Sequence, residues 1–205
     1  MKFLKIWSLG SIATACACAA SAQRINFKPF VQGENITLTV LENQAGLNFS
    51  SKMPILVGNP YITEIGLNDP QVVVVEIQGP VEYDLTLDFN LPNGLSYLGN
   101  DTGTLVPVGI RYAYSNTGEP TSVAGRSYAV EVPPLFRSIQ FPLRKRRLGG
   151  PPPPPPTPMH GGYTRLRDKA YVYVYGNLGP VPSSILPGLY SGLITLTVSY
   201  ADNTL

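Results

Sequence analysis

The sequence predicts an all-β fold, an antiparallel sandwich of eight or so short strands. Three observations carry this. Segments of five to ten residues alternate apolar and polar side chains with the period of a half-buried strand. Turn formers separate them: "NDP", "QGP", "LPNG", "SNTGEP", "VPP" and "LPG". After residue 23 no stretch long enough for three helical turns keeps apolar residues at i, i+3 and i+4 without a proline or glycine intervening. With no helix to make crossovers, sequential strands must run back and forth.

The elements follow in chain order. "ITLTVLE" (36–42) sets Ile36, Leu38 and Val40 against Thr37 and Thr39. "QVVVVEIQG" (71–79) is a near-continuous β-branched run, the pattern of a strand covered on both faces or placed at a sheet centre. "VEYDLTLDFN" (81–90) puts Val81, Tyr83, Leu85, Leu87 and Phe89 on one face, and Glu82, Asp84, Thr86 and Asp88 on a face that must meet water. "TLVPVGIRYAYS" (104–115), "RSYAVEV" (126–132), "RSIQFPLR" (137–144), "KAYVYVYG" (169–176) and "GLITLTVSY" (192–200) complete the series.

The first 22 residues read as a secretory signal. Lys2 and Lys5 precede an apolar, small-residue run from Ile6 to Ala20, and Ala20-Ser21-Ala22 has the form of a cleavage site before Gln23. Ser8, Gly10, Ser11 and Thr14 interrupt the run too often for a spanning helix, so no transmembrane segment is expected. The predicted organisation is a signal over 1–22 and one domain over 23–205, containing a proline-rich basic loop at 144–168. Both cysteines, Cys16 and Cys18, lie in the signal, so a cleaved chain has no thiol chemistry. Lipidation of one of them is the rival reading. It is disfavoured because Ala13, rather than leucine, stands three before Cys16.

Removing residues 1–22 takes Lys2 and Lys5 from 15 cations and none of 13 acids, leaving 13 of each. That balance argues against a nucleic-acid partner. Its distribution is uneven: residues 137–169 hold eight cations and one acid, Asp168, whereas residues 23–136 hold five cations and eleven acids.

Catalytic raw material is sparse. His160 is the single histidine and lies in "TPMHGG" beside six prolines, where a solvated side chain is the ordinary state. Asp84 and Asp88 share an exposed strand face, as solubilising residues do. "GLYSG" (188–192) lacks the lysine and following helix of a phosphate loop. The expectation is a non-catalytic protein with no metal or cofactor. In the aromatic strand, Tyr171, Tyr173 and Tyr175 share one face and Val172 and Val174 the other. The tyrosines are a candidate ligand platform, or one side of a strand packed through its valines.

"LPGLYSGLITLTVSY" (186–200) resembles the ending of secreted β-sandwich domains allied to spore coat protein U and the archaic chaperone–usher pilins, including a related domain family of unassigned function. In it Pro187 and Gly188 make a turn, Tyr190 plugs it, Gly192 permits close approach, and Ile194, Leu196 and Val198 alternate into the core until Tyr200. "AYVYVYGNL" is similar to the family's preceding strand, and "ITLTVLENQAGLNFSS" to its opening, though Ser50 replaces the usual glycine. The resemblance implies an immunoglobulin-like, pilin-like sandwich, export to the periplasm or cell surface, a secretion chaperone, and a structural or adhesive role in a pilus or coat built from copies or other surface subunits. It transfers no catalytic residues. It also implies a donor strand that completes the next subunit by β-strand addition. "QRINFKPFV" (23–31), with Ile25 and Phe27 alternating with Asn26 and Lys28, is the candidate donor, or equally the domain's own edge strand.

"RKRRLGGPPPPPPTP" joins the strands at 137–144 and 169–176. Six consecutive prolines favour an extended left-handed helix and offer no ladder donors, so the segment is expected outside the sheets. Arg144, Lys145, Arg146, Arg147, Pro151, Pro156 and Tyr163 form a candidate partner-binding arm; a rigid solvated loop and a protease site after Arg147 are the alternatives. The opposing functional class is a monomeric carbohydrate- or peptide-binding module using the tyrosine strand and this arm.

Overall fold

The computed structural model describes residues 23–32, 35–41, 46–52, 57–99, 103–145 and 166–201. Residues 1–22, expected to be a signal, the proline run with Arg146, Arg147, Pro151, Pro156 and Tyr163, and His160 lie outside the described residues. The strands are β1 (Gln23–Gln32), β2 (Thr37–Leu41), β3 (Gly46–Asn48), β4 (Thr63–Ile65), β5 (Val73–Pro80), β6 (Asp84–Asn90), β7 (Gly94–Tyr97), β8 (Val106–Ser115), β9 (Val130–Val132), β10 (Ser138–Pro142), β11 (Arg167–Leu178) and β12 (Tyr190–Tyr200). A 3₁₀ turn at Phe49–Ser51 and a five-residue helix α1 (Ser122–Arg126) are the helical elements among them. The protein is all-β and sandwich-like.

Two layers emerge from the pairings. In one, β10, β6, β12, β1 and β3 lie side by side. In the other the order is β9, β8, β11, β5 and β2. A short β7–β8 pairing bends one layer into the other. Among the described residues every pairing but one is antiparallel. The exception is β1, which runs parallel to β12 through ten register pairs from Gln23↔Tyr190 to Gln32↔Ser199, a departure from the purely antiparallel sheet expected.

Alternation explains the core. Leu85, Leu87 and Phe89 of β6 and Ile194, Leu196 and Val198 of β12 are all at most 4% exposed, and they face Val73, Val75, Ile77, Ala170, Val172 and Val174 from the other layer. Aromatic pairs bridge the layers: Phe89 stacks on Tyr112 at 3.8 Å between ring centroids, and Tyr114 on Phe141 at 4.3 Å. The β-branched run at 71–79 is buried on both faces, since Val72 and Val74 belong to a second, outer cluster. On the other layer, exposed Asp88 leaves the polar face of β6 open to water.

The turn before β12 follows its residues closely. Gly188 has φ +154°, Tyr190 is 1% exposed, and its hydroxyl donates to the Leu186 carbonyl at 2.9 Å, closing the loop onto the strand it starts.

The segment 126–132 departs from expectation. Thr121 accepts a hydrogen bond from the Ala124 amide, which starts α1, and Arg126 closes it, so the strand shrinks to Val130–Val132. Only one turn forms, too short to leave a helical period in the sequence.

Candidate functional site

Strand β1 is the first candidate site. Ile25 is fully buried beside Leu47, Phe27 packs partly against the main core, and Arg24, Asn26 and Lys28 point to solvent. The Asn26 side-chain amide donates to the Ser191 hydroxyl at 3.3 Å. On its far side β1 meets β3 through only three register pairs, Arg24↔Asn48, Ile25↔Leu47 and Asn26↔Gly46. From Phe27 to Gln32 that edge has no partner strand among the described residues. Lys28 and Pro29, which are residues that discourage edge pairing, occupy it together with Phe30 and Val31, 42% and 40% exposed.

Gly46 makes the contact with β1 possible, because a Cβ there would overlap the Ile25 carbonyl. Gly46→Ala is therefore expected to displace β3 from β1 at a cost of about 1–3 kcal/mol, as overpacking does. Thermal unfolding, with hydrogen exchange at the Arg24 to Asn26 amides, checks this; unchanged protection would sink it.

The candidate arm is anchored where it leaves and re-enters the sandwich. Arg144 and Lys145 are exposed, Arg144 Nε lies 3.2 Å from an Asp168 carboxylate oxygen, and the Lys145 amide donates to the Asn116 carbonyl at 2.7 Å.

Tyr171, Tyr173 and Tyr175 do share one face of β11, but that face is closed. They are 1%, 0% and 3% exposed. The excursion between β8 and β9 folds back over the first two: Tyr171 donates to the Pro120 carbonyl at 3.0 Å and Tyr173 to the Ser122 carbonyl at 2.6 Å. Gly125 sits against the Tyr171 ring and the Tyr173 hydroxyl, where a Cβ would come within 3.0 Å of each. An open stacking platform is thereby replaced by a second small core. Burial pushes the Tyr171 phenol up to about 12, assisted by the Glu76 charge, and the Tyr175 phenol to about 12, assisted by Glu131; the Tyr173 phenol also rises. Nothing in the strand's alternation signalled the cover, which comes from residues 116–129.

Beside Tyr171, Glu76 is 8% exposed and pairs with Lys169 at 3.1 Å, while the Gln78 side-chain amide donates to its other oxygen. Burial pushes the Glu76 carboxyl up, but these hydrogen bonds outweigh it and hold the group below its ordinary value of 4.5. A depressed folded-state value means that stability is present above pH about 4.5 and lost as the pH falls through the folded value. Glu76→Gln is thus expected to flatten the acid limb of the melting temperature plotted against pH. An unchanged limb would show that Glu76 contributes nothing to it.

No protein-family model matches the sequence, and no curated protein matches it.

At one lateral seam of the sandwich, where edge strands β9 and β10 face each other, lies a cleft of about 380 Å³ lined in part by Tyr114, Val132, Phe136 and Ile139. Val130, Phe136 and Leu135 beside it are 52%, 55% and 92% exposed. Among the described residues no helix is long and apolar enough to cross a membrane.

Proposed function

We propose that the chain is an exported, non-catalytic subunit of a surface assembly, structural or adhesive, related to the spore coat U and pilin group, and that copies join by exchange of the Gln23–Gln32 strand. The observation that carries this reading is the mode of β1 attachment. Among the described residues it is the one strand attached in parallel to an otherwise antiparallel sandwich, fixed mainly along β12 and by the Ile25 side chain, with more than half of its other edge unpaired. A strand inserted between β12 and β3 completes the core whether it comes from its own chain or from a neighbour, because the ladder and the Ile25 pocket are the same in both cases. The charge asymmetry favours head-to-tail contact between copies, a basic arm meeting acidic strand faces; that steering weakens with salt.

The deciding experiment is size-exclusion chromatography with light scattering on protein starting at Gln23, beside protein starting at Gly33. Oligomers from the longer protein alone, with the shorter one recovering a cooperative melt when a Gln23–Gln32 peptide is added, are expected. Monomers from both, with equal stability, would refute strand exchange.

A second reading, a monomeric peptide-binding module, is favoured by the seam cleft, whose aromatic and aliphatic lining and exposed Leu135 suit an extended apolar segment. Saturable binding of one peptide by a monomer would select it.

A further inference from the structure

On the outer face of the second layer, away from β1, a depression of about 270 Å³ lies between the β2–β5 edge and α1. Leu41, Pro70, Val72, Val74 and Val123 give it apolar walls, and Arg126 reaches into the lining. Val72 and Val74 are 2% and 7% exposed, so the floor is firm β-sheet, while Val123 at the rim is 70% exposed.

Arg126 is unusual in its setting. Its guanidinium carbon sits 5.7 Å from the centre of the Tyr173 ring, and its Nε is buried with no hydrogen-bond partner. Among the described residues no carboxylate comes within ion-pair distance of it. A partly desolvated guanidinium with an idle donor is costly unless an acceptor completes it. A planar fork of donors matches the two oxygens of a carboxylate.

We propose that this depression is a binding site for a carboxylate carrying a short apolar group, its anionic end on Arg126 and its apolar end on Val72, Val74 and Val123. This site is independent of strand exchange, since it lies on the opposite layer from β1. A free short-chain acid and the C-terminus of a peptide ending in an aliphatic residue present the same chemistry, and the probes below separate them.

The test follows valine and leucine methyl resonances of the folded protein during titration with hexanoate, with hexanol as the uncharged control. N-acetyl-alanyl-leucine is titrated as the free acid and as the amide. Saturable shifts confined to Leu41, Val72, Val74 and Val123 are expected with the acids but not with the alcohol or amide. Tighter binding by the dipeptide acid assigns the source to a chain end, and tighter binding by hexanoate to a free acid. Arg126→Met, which keeps the apolar stem, is expected to weaken binding at least ten-fold. Val123→Asp places a repelling charge at the rim without disturbing the core and is expected to do the same. Unmoved methyls with both acids, or undiminished affinity in Val123→Asp, would overturn the assignment.

Discussion

Ile25→Ala is expected to destabilise the domain by about 2–5 kcal/mol, the range for emptying a fully buried aliphatic site that cannot collapse. The side chain is 0% exposed and is held between β12, which β6 and β7 fix in place, and β3, whose Leu47 is itself fully buried, so the cavity has little means of closing. For a domain of ordinary stability, about 5–15 kcal/mol, that loss is a large fraction of the total. Ile25→Asp should be worse, because an unpaired carboxylate enters the same space. Denaturant titration measures the cost. The informative companion is hydrogen exchange. If β1 is a separable strand, Ile25→Ala should raise exchange at β12 amides facing β1 while leaving β11 and β5 protected. Uniform loss of protection would make β1 an inseparable part of the cooperative unit.

The second large effect is expected at Tyr173. Its ring is fully buried, Arg126 lies over its face, Gly125 packs against its hydroxyl, and that hydroxyl satisfies the Ser122 carbonyl. Tyr173→Ala should cost about 3–5 kcal/mol, releasing the excursion over residues 116–129 from the sheet. Tyr173→Phe retains the ring and removes one hydrogen bond, so about 1–2 kcal/mol is expected, part of it from the unsatisfied carbonyl. The two midpoints in denaturant, measured side by side, check the difference. Equal losses would mean that the hydroxyl, not the packed ring, holds the excursion down.

How much of this was legible in the sequence depends on the length of the signal. Strands β5, β6, β8, β11 and β12 span seven to twelve residues and alternate cleanly, or run continuously apolar where both faces are covered, so their positions follow from periodicity alone. Strands β3, β4 and β7, of three or four residues, are fixed by pairing with distant partners, and three residues carry no measurable period. Helix α1 escaped for the same reason. The direction of β1 was also invisible: alternation says that Ile25 and Phe27 share a face, but parallel or antiparallel attachment depends on where the chain turns afterwards. Burial of the tyrosine face was equally beyond local reading, since its cover lies some fifty residues earlier in the chain. The Arg126 depression draws on β2, the chain before β5 and α1 together, so no single stretch of sequence announces it.

The parallel β1–β12 pairing has a mechanical meaning. Gln23 lies beside Tyr190 and Gln32 beside Ser199, so a load applied between Gln23 and Tyr200 pulls the two strands in opposite directions along their own axes. Every hydrogen bond of that ladder is then sheared at once, whereas strands pulled apart from a shared end give way one bond at a time. A protein held in tension at these two points would resist force with its whole ladder, a property that suits a link in a chain exposed to drag.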